Sequence, residues 1–282
     1  MVNIKNLNEY GIPIKNKTFV IAEIGINHNG NIRNAIKLID SALKTGCDAV
    51  KFQTYITEKR TSKSNHELFQ LLKSCELGFK DFEFLKNYCD EKGIIFFSTP
   101  FDIESLDFLN SINIDLIKIS SFDLTNFNFI QKIIESKKTL ILSTGLSNFE
   151  EVKQTYNYLS DQKVNFALLH CISSYPTEEE DANLLSLKVM QTSFSNSIIG
   201  QSDHTQGIKV PIYAVALGAQ IIEKHYKIDN NMECVDSIVS ITEDQMVNLV
   251  NEIRLLEKIK GDEKIFVSKA EKSTLIHKRN TI

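Results

Sequence analysis

The chain has 282 residues, 42% hydrophobic and 24% charged, ordinary globular values that argue against a disordered or fibrous protein. Its 32 Lys and Arg against 36 Asp and Glu give a net charge of −4, which supplies no basic field for nucleic acid. No stretch approaches the roughly 20 apolar residues of a membrane span and the first residues carry no signal-peptide run, so a cytoplasmic protein without membrane partners is expected. Five cysteines without a CxxC pair argue against a disulfide framework or a thiolate zinc site and predict buried, reduced thiols.

Residues 1–18 read as an N-terminal extension. FVIAEI (19–24) is the first predicted strand, and NHNGN (27–31) reads better as a capped turn than as a phosphate-binding turn at a helix N-terminus. A helix follows over 31–45, with Ile32, Ala35, Ile36, Ile39, Ala42 and Leu43 in one stripe before Gly46. The second strand is DAVKFQ (48–53). Extra material fills 65–92, with a helical pattern near Phe82, Leu85 and Tyr88, and IIFFS (94–98) is the third strand. DLIKI (115–119) and TLILS (139–143) come next, and Ser147 with Glu150 is read as a capping box. NFALLH (165–170), SIIGQS (197–202) and QIIEKH (220–225) complete the set. Thr242 with Gln245 forms a second capping box before Met246, Leu249, Val250, Ile253 and Leu256, in a helix that Gly261 ends. Residues 262–282 are charged and weakly periodic, an extension or linker, and His66 and His277 are expected at the surface.

Eight strands, each followed by a helix, predict a (β/α)8 TIM barrel over 19–261, an α/β fold that typically needs about 250 residues. A doubly wound sheet requires no such even count.

Polar residues interrupt these strands near their C-terminal ends, where burial costs several kcal/mol unless the group is paired or serves a site. They are Glu23, Lys51, Gln53, Ser98, Thr99, Lys118, Ser121, Ser143, Thr144, His170, Ser173, Ser202, His204, Glu223 and His225. Strand alternation puts Lys51 with Gln53, and Glu223 with His225, on shared faces directed to the barrel mouth, where active sites of this fold sit. His204 and His225 end neighbouring strands. Imidazoles with Glu and water oxygens suit a divalent ion such as Mn2+, Fe2+ or Zn2+, and on spacing alone hydrogen-bonded rim histidines or a general acid/base fit equally well. Lys51 and Lys118, with Thr99, Ser121, Ser143 and Ser202, are candidates to enclose a phosphate and a carboxylate, or else a structural network with Glu23 and Glu223. Schiff-base chemistry at Lys118 or Lys224 stays open as well.

The stretches AEIGINHNGN (22–31), DAVKFQTY (48–55), FSTPFD (97–102), ILSTG (141–145), LLHCISSYPT (168–177), QSDHTQG (201–207) and ALGAQIIEKH (216–225) resemble the sialic acid synthase family, in the family's order and across the whole barrel. The resemblance implies condensation of phosphoenolpyruvate with an open-chain N-acetylhexosamine aldehyde, most often N-acetylmannosamine, releasing phosphate. It implies His204 and His225 as ligands of a divalent metal, Mn2+ by preference, acting as Lewis acid on the aldehyde oxygen. By motif position Lys51, Thr99, Lys118, Ser121, Ser143, Ser173 and Ser202 resemble the phosphoenolpyruvate contacts. Gln53, Asp123, Tyr175 and Asp236 resemble the sugar contacts, and Glu23 and Glu223 the catalytic carboxylates that handle the attacking water.

Two departures stand out. Ser173 replaces an Asn common in the family, and CVDS (234–237) replaces GPDH, a change toward the legionaminic and pseudaminic acid synthases. Family members also continue into an antifreeze-like domain that donates an Arg to the partner subunit's sugar site. The sequence given stops at Ile282, about where that domain would begin, which leaves three expectations: a truncated form, a separate chain that supplies the domain, or a protein that works without it. The protein partners expected are a second copy in a homodimer or that separate chain. A non-catalytic phosphoenolpyruvate-binding or scaffold barrel is the reading from another class.

Overall fold

The computed structural model describes residues 17–114, 116–195, 197–261 and 264–279. Eight parallel strands close into one barrel in sequence order: β1 (Phe19–Gly25), β2 (Ala49–Thr54), β3 (Ile95–Pro100), β4 (Leu116–Ile119), β5 (Thr139–Ser143), β6 (Phe166–Cys171), β7 (Ile198–Asp203) and β8 (Ile221–His225). This is the (β/α)8 TIM barrel expected. Most strand bounds sit one residue later than predicted, and Asp115 of the fourth lies outside the described residues. So do residues 1–16 of the N-terminal extension and 262, 263 and 280–282 of the C-terminal one.

The barrel helices are α1 (Ile32–Thr45), α4 (Phe79–Lys92), α5 (Ile103–Ser111), α6 (Phe127–Glu135), α7 (Phe149–Asp161), α8 (Ser186–Ser193), α9 (Lys209–Ala216) and α10 (Glu243–Ile259). Two further helices, α2 (Thr57–Arg60) and α3 (His66–Cys75), are inserted between β2 and β3, and the extra material expected over 65–92 is corrected accordingly: the helical pattern near Phe82, Leu85 and Tyr88 is the barrel helix α4. Helix α1 shows why these segments fold where they do. The Asn31 carboxamide accepts from the Arg33 and Asn34 amides, Ala35, Leu38, Ile39 and Ala42 are buried, and Gly46 ends the helix in the left-handed region. Among these helices none is long and apolar enough to cross a membrane.

The NHNGN segment is a capped turn. His28 is buried against Phe52, its Nδ1 accepting the Gly30 amide proton, and burial pushes its pKa down to about 4. At Gly30 φ is +66°, and a Cβ there would meet the Ser74 carbonyl oxygen at 2.3 Å.

Two expectations need correction. The cap of α7 is Asn148 with Glu151 rather than Ser147 with Glu150, because the Asn148 side chain is the one that reaches the Glu150 and Glu151 amides. Four cysteines are buried, but Cys234 is only half-buried, in the loop after β8. The Thr242–Gln245 box holds, Gly261 follows α10 at φ +62°, and His66 and His277 are exposed.

The largest core cluster fills the barrel and the layer beneath its helices, with Ile21, Phe52, Phe97, Phe166 and Ile221 fully shielded. Each such side chain contributes about 1.5–3 kcal/mol by leaving water. A smaller cluster of Ile26, Tyr55, Leu72 and Cys75, flanked by Phe101 and Val235, packs α3 over the mouth next to β1 and β2. Since every strand runs the same way, all their C-terminal ends meet at one face.

Candidate active site at the strand ends

A cavity of about 240 Å³ opens at that face. Parallel register sets its floor: Glu23 stands opposite Lys51 on one side and His225 on the other, and Ser202 stands opposite Glu223. All the predicted phosphoenolpyruvate contacts, Lys51, Thr99, Lys118, Ser121, Ser143, Ser173 and Ser202, line the cavity. So do Glu23, Glu223, His204, His225, Gln53, Tyr175 and Asp236. Asp123 does not. It bonds Ser120 and Asn126 and faces the adjoining groove between α2 and α5.

Ser98, Thr144 and His170 turn outward from the barrel. Ser98 bonds Thr54, Thr144 bonds the Leu169 carbonyl and His170 bonds the Ala182 carbonyl, which satisfies each away from the cavity. Lys224 also lies behind the wall, bonded to Asp203 and to the Thr205 carbonyl.

The charged floor is a chain of buried pairs. Lys51 Nζ lies 3.0 Å from Glu23 Oε1 and 3.6 Å from Glu223 Oε2, and Lys118 Nζ lies 3.9 Å from Glu223 Oε1. Lys51 also donates to Thr99 Oγ1 at 3.2 Å, Lys118 to Ser143 Oγ at 2.6 Å, and Ser202 to Glu223 Oε1 at 2.9 Å. The pairing of lysines with glutamates is therefore real, and it lies inside the cavity rather than apart from it. It is also incomplete: Glu23 Oε2, Glu223 Oε2 and His225 Nδ1 are buried without a hydrogen-bond partner. Unpaired buried polar atoms each cost about 1–3 kcal/mol, and these three belong to residues that line the cavity, where a bound ligand would complete them.

Electrostatics separates the two lysines. Burial alone lowers the Lys51 pKa, but Glu223 and Glu23 outweigh it and hold the ammonium above its ordinary value. Burial also lowers Lys118, and with Lys51 adding to it the fall outweighs the opposing pull of Glu223. Burial raises Glu223, yet Lys118 and Lys51 keep it well below the carboxylate range.

At the other side, the His204 and His225 rings lie 5.3 Å apart between centroids, with Tyr175 tilted 4.1 Å over His204. The His204 Nδ1 faces the Ile172 carbonyl at 2.7 Å, which assigns the Nδ1–H tautomer and leaves Nε2 with its lone pair. His225 Nδ1 lies 3.4 Å from Asp236 Oδ2. His204, oriented by a carbonyl, has the arrangement that outer-sphere groups give metal-binding histidines, whereas His225 Nδ1 only approaches its carboxylate without a hydrogen bond. Among the described residues no group of three His, Cys, Asp or Glu side chains converges as a metal cage.

Sequence reasoning missed Arg60, Phe101, Ser120 and Cys171, which also line the cavity. Gly145, within the ILSTG stretch, has a steric role: a Cβ there would stand 2.3 Å from Ser173 Oγ and 2.8 Å from Ser121 Oγ. Its missing side chain is what lets those hydroxyls converge.

Fold and site define a barrel enzyme whose strand-end cavity gathers cations, hydroxyls, two histidines and three carboxylates. A family model described as the NeuB family matches residues 38–265, and the chain belongs to that family of sialic and related nonulosonic acid synthases. An N,N'-diacetyllegionaminic acid synthase of Campylobacter jejuni is 36% identical over 92% of this chain and 82% of its own length. An uncharacterized protein of Methanocaldococcus jannaschii is 42% identical, covering 94% of this chain and 78% of that protein. Among solved structures, a sialic acid synthetase of Leptospira borgpetersenii in complex with citrate superposes with a TM-score of 0.89 at 37% identity, over 93% of this chain and 91% of that one.

Proposed function

We propose that this chain condenses phosphoenolpyruvate with the open-chain aldehyde of an N-acetylhexosamine such as N-acetylmannosamine, forming a nonulosonic acid and inorganic phosphate. The observation that carries this reading is one cavity in which Lys51 and Lys118, ringed by Thr99, Ser121, Ser143, Ser173 and Ser202, face His204 and His225 across Glu23 and Glu223. The lysines and hydroxyls form a seat for a phosphate and a carboxylate, and their charge stabilises the anion that forms on the way to phosphate release. In this reaction carbon 3 of phosphoenolpyruvate bonds to the aldehyde carbon, water adds at carbon 2, and the carbon–oxygen bond to phosphate breaks. Glu23 Oε2 and Glu223 Oε2, which accept no hydrogen bond, are the atoms suited to accept the water proton. Gln53, Tyr175 and Asp236 line the acceptor end, with Asp123 just outside it.

His204 and His225 would hold a divalent ion, Mn2+ by preference; it would act as a Lewis acid toward the aldehyde oxygen. The fit rests on two neighbouring imidazoles, with the His204 ring oriented by its Nδ1 bond to the Ile172 carbonyl; with so few protein ligands, water or substrate would complete the shell.

The test is phosphate release on mixing the protein with phosphoenolpyruvate, Mn2+ and a panel of N-acetylhexosamines. Release with one of them, abolished by a chelator, is expected. Chelator-insensitive activity with borohydride trapping of a keto acid on Lys118 would point to a Schiff-base aldolase instead. Phosphoenolpyruvate binding in calorimetry with no turnover on any sugar would point to a scaffold.

A further inference from the structure

Arg60 ends the four-residue helix α2, at the mouth of the cavity. Its guanidinium lies 3.7 Å over the Phe101 ring and 4.6 Å from the centroid of Tyr55. Stacking of this kind fixes the plane of the fork and strips part of its water. The shelf beneath is rigid: Tyr55 donates to the Leu72 carbonyl, the Arg60 amide donates to the Ile56 carbonyl, and the Thr57 amide donates to Glu76.

Five N–H donors are available on a guanidinium. Among the described residues only one hydrogen bond uses them, from NH1 to Gln53 Oε1 at 3.1 Å, and no carboxylate forms an ion pair with Arg60. Every other cavity cation has such a partner, since Lys51 and Lys118 pair with Glu23 and Glu223. A held, partly dehydrated cation with spare donors is a recognition device awaiting an acceptor oxygen.

Its neighbours narrow the choice of oxygen. Leu68 and Leu71 of α3, 40% and 41% exposed, line the same mouth with Val235 from the loop after β8. These apolar surfaces offer nothing to a phosphate, and the Asp236 carboxylate in the same cavity repels one. A carbonyl oxygen carrying a small alkyl group suits both halves of the mouth.

We propose that Arg60 is the acceptor-specificity residue of this chain, donating to the carbonyl oxygen of an acylamido substituent whose methyl group packs on Leu68, Leu71 and Val235. This rests on the condensation proposed above and assigns the part of the acceptor that the cavity reads. A hydroxyl in place of the acylamido group leaves both the spare donors and the apolar shelf unused.

Steady-state kinetics of wild type, Arg60→Met and Arg60→Lys on N-acetylmannosamine and on mannose test it. Arg60→Met raises the acceptor KM about tenfold to a hundredfold, the range for losing a hydrogen bond to a charged group. It compresses the preference for the acylamido sugar by a similar factor and leaves the KM for phosphoenolpyruvate unchanged. Arg60→Lys restores part of the preference, because the charge returns without the planar fork. An unchanged preference in a folded Arg60→Met protein, verified by its melting curve, overturns the proposal. So does a wild-type preference for a 6-phosphorylated sugar that Arg60→Met abolishes, which makes Arg60 a phosphate reader. If the wild type turns over no sugar, the condensation reading fails on its own. Saturation transfer from the protein to the N-acetyl methyl protons, present in wild type and lost in Arg60→Met, then still upholds the pocket, and its absence in wild type overturns the pocket as well.

Discussion

The inner and outer faces of strands β7 and β8 bury charge in opposite ways. Inward, Ser202, Glu223, His204 and His225 line a cavity and leave Glu223 Oε2 and His225 Nδ1 without a hydrogen bond, their charged neighbours Lys51 and Asp236 standing 3.6 and 3.4 Å away. Outward, Lys224 is fully enclosed, yet it donates to Asp203 Oδ2 at 2.6 Å and to the Thr205 carbonyl, and Asp203 accepts in turn from Thr205 and Gln201. Both faces bear the desolvation of charge. Only the outer pair is closed, and the difference separates a structural ion pair from a site built for a guest.

Breaking the outer pair should have the largest effect on folding. Asp203→Ala or Lys224→Met leaves one buried charge alone and is expected to destabilise by about 3–5 kcal/mol in urea melts, whereas Lys224→Met with Asp203→Leu recovers most of the loss. If the single variants melt like wild type, the contrast between the faces collapses. The inner face should respond in activity instead. Lys118→Met is expected to lower kcat/KM for phosphoenolpyruvate about 10²–10³-fold, with the urea midpoint held or raised, because a charge kept for ligand binding adds little to folding.

Smaller effects sharpen the inner face further. Gly145→Ala forces Ser173 and Ser121 to yield, and about a tenfold rise in the phosphoenolpyruvate KM at nearly unchanged melting temperature is expected. The smallest is a pH effect. Burial lowers Lys118 below its ordinary 10.5, so its proton leaves earlier as pH rises and phosphoenolpyruvate binding weakens with it. The alkaline limb of kcat/KM should therefore break below pH 10.5, and Lys118→Arg should move that break upward; Lys51, held above its ordinary value, does not produce it.

The barrel was legible because its eight apolar runs recur with helical stripes between them, a pattern that survives one-residue errors at strand ends. That Lys51, Thr99, Lys118, Ser143 and Ser202 share one cavity was legible from polarity inside those runs. Residue type alone overreached at Ser98, Thr144 and His170. Alternation resolves these, since Thr99, Ser143 and Cys171, one position away, occupy the inward face. Arg60 was not legible. In TEKR it looks like one more surface charge, and what marks it is the ring of Phe101, 41 positions later, brought beneath it by the pairing of β2 with β3. Asp123 carries the opposite lesson, a matching motif position whose side chain is held by Ser120 and Asn126 outside the cavity.

Glu223, Lys224 and His225 are consecutive, so the two faces of β8 constrain each other. Sliding the strand by one residue would bring the lysine ammonium into the cavity and press a glutamate and a histidine into the apolar layer under the helices. The Lys224–Asp203 pair closes only in the register that also presents both site residues. Assembly of the barrel thereby proofreads its own chemistry: a chain that has locked the back of the wall has already set the front.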